Sequence, residues 1–149
     1  AGTIKRVDYS YIKGGGILVG LQYGADTSPS GTTSTSSSSY VDTGVSFTYT
    51  PAATSSKIWL NWDIVGSMGG GTGNYKVVRT VGGSDTDVVA KSIGSSKSRD
   101  SDYTLNFNFW YEDSPSTTSE ITYKLHMRGS HPHAIYIEEA ALFLMETSS

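Results

Sequence analysis

Three histidines, an acidic pair and a glycine cluster are the residues of this 149-residue chain whose types and spacing could do chemistry. His131 and His133 stand one residue apart around Pro132, a spacing that metal sites use, with His126 and Glu138 or Glu139 available as further ligands. Histidines in surface turns are commoner than ligands, so the expectation is a solvated turn and no metal. Asp85-Thr86-Asp87 follows two glycines like the start of a calcium loop, but the later glycine and bidentate glutamate are missing at the required spacing. Gly69 to Asn74, GGGTGN, has the composition of a phosphate cradle. Such cradles open a helix whose N-terminus holds the anion, and here the following text reads as a strand. Asp63 is the one carboxylate expected to be buried, as a partner for Lys124 or Arg128 rather than as an acid-base catalyst. The serines lack a G-x-S-x-G elbow, and three histidines in turn or edge positions make no triad. These residues point away from an enzyme and call for no cofactor.

Length and charge narrow the partners. A chain of this size suits one domain over residues 1–149 and can bury roughly two-thirds of its unfolded surface. With no cysteine there is no disulfide framework, thiolate site or cysteine nucleophile, so the core must suffice, helped by oligomerisation. A formal charge of −3 and dispersed lysines and arginines argue against a nucleic-acid partner. No apolar run approaches the roughly 20 residues that span a bilayer, so no membrane partner is expected and the chain reads as soluble.

The elements that must position these residues are strands. From Tyr103 to Tyr111 the odd positions are apolar or aromatic, and Ile121, Tyr123, Leu125 and Met127 repeat the pattern, a period of two. Asp113 to Ser119, containing Pro115, reads as the turn between them, so the spacing predicts a β-hairpin with one dry face. So much apolar surface on one side demands a second layer. Ile17, Val19, Leu21 and Tyr23 alternate after Gly14-Gly15-Gly16, and Val45, Phe47 and Tyr49 alternate ahead of Pro51. Lys57 to Gly66 reads as a central strand, with Ile58, Leu60, Trp62 and Ile64 on its dry face, and further strands follow at Tyr75 to Val81 and Val88 to Ala90. The closing segment, Ala134 to Met145, contains good helix formers, yet no N-cap residue precedes them. A strand with a bulge near Glu138-Glu139-Ala140, carrying Ile135, Ile137, Ala141, Phe143 and Met145 on one face, is the preferred reading over a helix. The Ser/Thr-rich stretch 26–39 offers little area to bury and is expected to be a flexible loop. The count is about eight to nine strands, which makes the fold class all-β, an antiparallel β-sandwich of jelly-roll-like kind.

Two segments lack a place in that scheme. Trp59 and Trp110 fall on the faces opposite the dry rows, so they are expected either in a subunit interface or on a sugar-stacking platform. Residues 1–12 mix Ile4, Val7, Tyr9 and Tyr11 with Lys5, Arg6 and Asp8, the composition of an N-terminal arm that adds to another subunit or lies on a larger surface.

The run Tyr111-Glu112-Asp113-Ser114-Pro115-Ser116-Thr117-Thr118-Ser119, followed by Ile121-Thr122-Tyr123-Lys124, resembles a signature of small β-rich structural modules in tailed-bacteriophage virion proteins. The likeness takes in Thr35 to Gly44, the Pro51 to Lys57 segment and the final Leu142-Phe143-Leu144-Met145-Glu146, covering about residues 35–147 and leaving out the first 30. It implies a non-enzymatic virion component: a capsid decoration (cement) protein bound to the major capsid protein on the outer surface of the head. As the alternative it implies a tail-fibre or receptor/glycan-binding module. The chain carries no heptads or collagen-like repeats of a fibre shaft, which favours the first. Local threefold positions on an icosahedral shell make a homotrimer the expected assembly.

Overall fold

The computed structural model describes residues 17–26, 34–68, 71–94, 103–129 and 134–148. Among them are nine strands: β1 (Ile17–Asp26), β2 (Ser34–Thr35), β3 (Val41–Tyr49), β4 (Lys57–Met68), β5 (Thr72–Val81), β6 (Ser84–Gly94), β7 (Tyr103–Asp113), β8 (Ile121–Arg128) and β9 (Ile135–Ser148). They form two antiparallel sheets, sheet A in the order β1-β9-β4-β7 with the short β2 beside β9, and sheet B in the order β3-β8-β5-β6. The fold is thus the all-β sandwich that the alternation predicts.

The pairing is nested. β5 pairs with β6, β4 with β7, β3 with β8 and β1 with β9, so the chain is folded in half and then rolled into two layers, which is jelly-roll winding. The midpoint is a two-residue turn between Val81 and Ser84. Both of its residues, Gly82 and Gly83, have positive φ (56° and 83°), the geometry that twisted two-residue hairpins require and that only glycine adopts without cost.

Rows of side chains from both sheets meet in the middle. Ile58, Leu60, Trp62 and Ile64 of β4 are buried against Ile121, Tyr123, Leu125 and Met127 of β8, with Val45, Tyr75 and Val77 completing the layer. The Phe47 ring meets Trp62 edge-on at 5.6 Å between centroids, one of the favoured aromatic geometries.

The alternation in β7 and β8 holds, but the hairpin does not. β7 pairs with β4 in sheet A, whereas β8 lies between β3 and β5 in sheet B. Two strands with dry faces can satisfy them by facing each other across a core as well as by lying side by side, and here the connector Ser114–Glu120 passes from one layer to the other. The Ile135–Ser148 segment is a strand throughout. Its bulge lies where expected: Val65 pairs with Glu139 and Gly66 with Ile137, leaving Glu138 as the extra residue. That residue flips the phase, so Ala140, Leu142 and Leu144 face the core and Phe143 and Met145 the outside, the reverse of the expected row.

β1 also keeps its alternation, with glycines on the side toward β3. A Cβ on Gly24 would stand 2.4 Å from the Phe47 ring and one on Gly20 2.0 Å from the Tyr49 hydroxyl, so aromatic rings from β3 fill the inward side of β1. Val19, Leu21 and Tyr23 therefore point out. Of the segment 26–39, residues 27–33 lie outside the described residues, Ser34–Thr35 is β2, and the Thr35 hydroxyl accepts a hydrogen bond from the Ser37 amide (3.0 Å). The arm segment 1–12 also lies outside the described residues.

Gly24→Ala is expected to force the Phe47 ring out of place and to cost about 1–3 kcal/mol, as overpacked cores do; a lowered midpoint in urea denaturation, with the β-sheet circular dichroism spectrum kept, checks this.

Candidate interaction surface

The outer face of sheet A follows from the register. Leu21, Met145, Trp59 and Glu112 are consecutive cross-strand partners on β1, β9, β4 and β7, and Tyr23, Phe143, Asn61 and Trp110 form the next such row. Residues directly opposite in antiparallel strands share a face, so both tryptophans singled out in the sequence lie on one surface. Tyr23 is 68%, Leu21 57% and Trp110 55% exposed, with Val19 and Phe143 also exposed, while Trp59 is half-buried. Asn61 and Asn108 exchange side-chain amide hydrogen bonds of 3.0 and 3.1 Å beside Trp110. The charges on this face are few: Lys57 pairs with Glu112 at 3.5 Å, and Asp63 and Glu139 are exposed. Asp63 is therefore not the expected buried partner of Lys124 or Arg128; its place in the alternation of β4 turns it outward with Trp59 and Asn61. An aromatic and apolar centre with sparse charge is the composition of an interface core.

Sheet B is different outside. β8 presents Lys124, His126 and Arg128, and β5 adds Lys76. The Tyr40 ring takes Lys76 Nζ and the Arg128 guanidinium, each 4.7 Å from its centroid. Asp87 pairs with Lys76 at 2.9 Å and Asp85 with Lys124 at 3.5 Å, so the acidic pair that looked like the start of a calcium loop supplies countercharge to lysines. The Thr80 hydroxyl, which donates to Asp85, holds that carboxyl below its usual value, and Lys124 adds to the effect. Among the described residues no group of three or more His, Cys, Asp or Glu could hold a metal. His131 and His133, like the interface candidates Ile4, Val7, Tyr9 and Tyr11, lie outside those residues.

His126 sits 3.9 Å from Asp42, yet the contact is not an ion pair near neutral pH. Burial lowers the affinity of the imidazole for a proton; Lys76 and Lys124 reinforce this and Asp42 and Asp85 partly offset it.

The carboxylates that the sequence reading missed are inside. Asp113 is buried and accepts from Arg79 Nη1 at 2.6 Å, from the Tyr123 hydroxyl at 2.8 Å and from the Ser114 amide at 2.9 Å. Glu146, also buried, accepts from the Tyr49 hydroxyl at 2.6 Å and the Ala52 amide at 2.7 Å. Burial above all, then the neighbouring carboxylate, pushes both phenols well above the usual tyrosine range, so they remain donors. The signal for these acids was parity: Asp113 continues the inward odd row of β7, and Glu146 the inward even row of β9 after its bulge. Neither carboxylate opens toward a bound molecule; both tie one sheet to the other. The arrangement that can meet a partner is the outer face of sheet A.

These features define a jelly-roll sandwich with one apolar and one charged outer face. No protein-family model and no curated protein matches the chain. Among solved structures it is similar to the infectious bursal disease virus VP2 subviral particle, with a TM-score of 0.41 and 12% identity, covering 85% of this chain and 37% of that one. Structures of the Gx and Gt strains of that virus give TM-scores of 0.36 and 0.30 at 10% and 11% identity, covering 87% and 88% of this chain. The chain spans under two-fifths of the length of the solved chains it matches. A likeness at this level carries nothing about function.

Two outcomes are expected. Asp113→Ala strands the Arg79 charge and should cost about 3–5 kcal/mol, read as the shift in chemical denaturation. His126 has a folded pKa below its unfolded value of about 6.5, so stability is full above that pH and falls as acid is added, because the unfolded chain takes up the proton that the folded one refuses. His126→Gln should flatten that decline between about pH 7 and pH 5 in a series of urea titrations.

Proposed function

We propose that the protein is a virion structural component, a decoration (cement) protein that binds the major capsid protein on the outer surface of a phage head. In this reading it acts by binding and not as an enzyme, and it self-associates, as a trimer, through the outer face of sheet A. The virion context is supported by the phage-module text across residues 35–147. The observation that carries the contact is the joining of Leu21, Tyr23, Phe143 and Trp110 into one exposed face. Burying a large apolar side chain stabilises by roughly 1.5–3 kcal/mol, so an assembly that covers this face gains what the isolated subunit forgoes.

A tail-fibre or glycan-binding module is the second reading. It is favoured by the same row, where Tyr23, Phe143 and Trp110 flank the Asn61–Asn108 amide pair. Rings that stack on the apolar face of a sugar beside amides that bind its hydroxyls are what such a site needs.

Copy number separates the two. Quantitative mass spectrometry of purified particles should find hundreds of copies per virion, and a handful near the tail would end the decoration reading. Trp110→Ala should weaken self-association by about 2 kcal/mol, roughly thirtyfold in dissociation constant, with Trp59→Ala weaker because that ring is already half-covered. A wild type that remains monomeric at micromolar concentration in mass photometry would exclude the trimer, and binding to a glycan array that is lost in Trp110→Ala would favour the sugar platform.

A further inference from the structure

β1 is an unusual edge strand, because two of its inward positions, Gly20 and Gly24, are glycines backed by Tyr49 and Phe47. Val19, Leu21 and Tyr23 all face out. The strand can bury these side chains only if something lies on the outer face of sheet A. That face has a charge bias as well. Among the described residues, Asp63, Glu112 and Glu139 stand against the single cation Lys57, which is used by Glu112, and neither Asp63 nor Glu139 has an ion-pair partner there.

Residues 1–16 run directly into β1 and have the opposite character, with Lys5, Arg6 and Lys13 against Asp8. Ile4, Val7, Tyr9 and Tyr11 supply apolar surface in the same stretch. Nine extended residues span about 30 Å, close to the length of the ten-residue β1. We propose that residues 4–12 of one copy cover the outer face of sheet A of a neighbouring copy, with Lys5 and Arg6 supplying countercharge to Asp63 and Glu139. A neighbouring copy, rather than the same one, is the donor that the self-association proposed above calls for, and the mixed-thiol experiment below separates the two. This deepens the self-association reading above by naming the segment that occupies the contact.

These 149 residues include no cysteine, so engineered thiols report on single sites. Tyr9→Cys in one tagged copy and Tyr23→Cys in another, mixed at equal amounts and treated with a short bismaleimide, should give a product joining the two chains. A product formed only within one chain carrying both thiols, or no product at all, would overturn the proposal. Lys5→Glu with Arg6→Glu should loosen the assembly by roughly tenfold, and Asp63→Lys with Glu139→Lys should restore it. Failure of that restoration counts against the pairing. Deleting residues 1–12 should leave a folded monomer with an unchanged urea midpoint. If the deletion still assembles and Trp110→Ala still disrupts it, the arm is not the occupant and the assembly reading survives. If neither change affects the mass, both fall.

Discussion

The two layers are joined at the point where the chain leaves one for the other, and the rest of the structure depends on that junction. Asp113 is the last residue of β7 in sheet A; Arg79 and Tyr123, which bind it, belong to sheet B. A carboxylate in such a place is costly to desolvate and is tolerable only with its oxygens fully used, which the guanidinium, the phenol and the Ser114 amide accomplish. Glu146 does the same between β9 and the end of β3 with neutral donors alone. Apolar side chains hold the sheets together without specifying how one slides on the other. The two carboxylates add directional contacts that fix the offset.

That fixed offset settles what each surface can do. With the dry rows of β4 and β8 committed inward, the alternate residues are forced outward, and the two outer faces carry different chemistry. Sheet B shows Lys76 and Lys124 matched by Asp87 and Asp85, a surface at ease in water. Sheet A shows aromatic and aliphatic side chains with few charges, and its β1 strand has exchanged inward bulk for glycine. The asymmetry is a property of the fold, because Phe47 and Tyr49 of β3 take the space that β1 side chains would otherwise fill.

How much of this was legible in the sequence depends on the kind of information. Period two identifies strands and their two faces, and it did so for β3, β4, β7 and β8. It says nothing about which strand lies beside which, and that is why β7 and β8 read as a hairpin although they occupy opposite layers. It also does not say which of two faces is the inner one when the competing residues are glycines, as in β1, or when a bulge changes phase, as at Glu138. The buried acids escape the sequence reading because Asp113 stands at the start of what reads as a turn and Glu146 just past the segment read as the last strand, although both continue inward rows. For Asp63 the expectation of burial was wrong for the complementary reason: it shares a strand with the core but not a parity. Trp59 and Trp110 were placed on the outer face from parity alone, and the register adds that they share it with Leu21, Tyr23 and Phe143.

The glycine turn at residues 82–83 has a consequence for how the chain acquires its shape. Because the strands pair outward from that turn, the separation between partners grows at each step: β5 with β6 is local, while Ile17 pairs with Ser148. The entropy of closing a loop rises with its length, so distant pairings form against a greater penalty, and folds dominated by them fold slowly. The order this implies is a zipper that starts at the middle of the sequence and closes last at β1 and β9. The strand that carries the exposed apolar row is then also the last to be secured, so the surface that would meet a partner is completed only when the domain is.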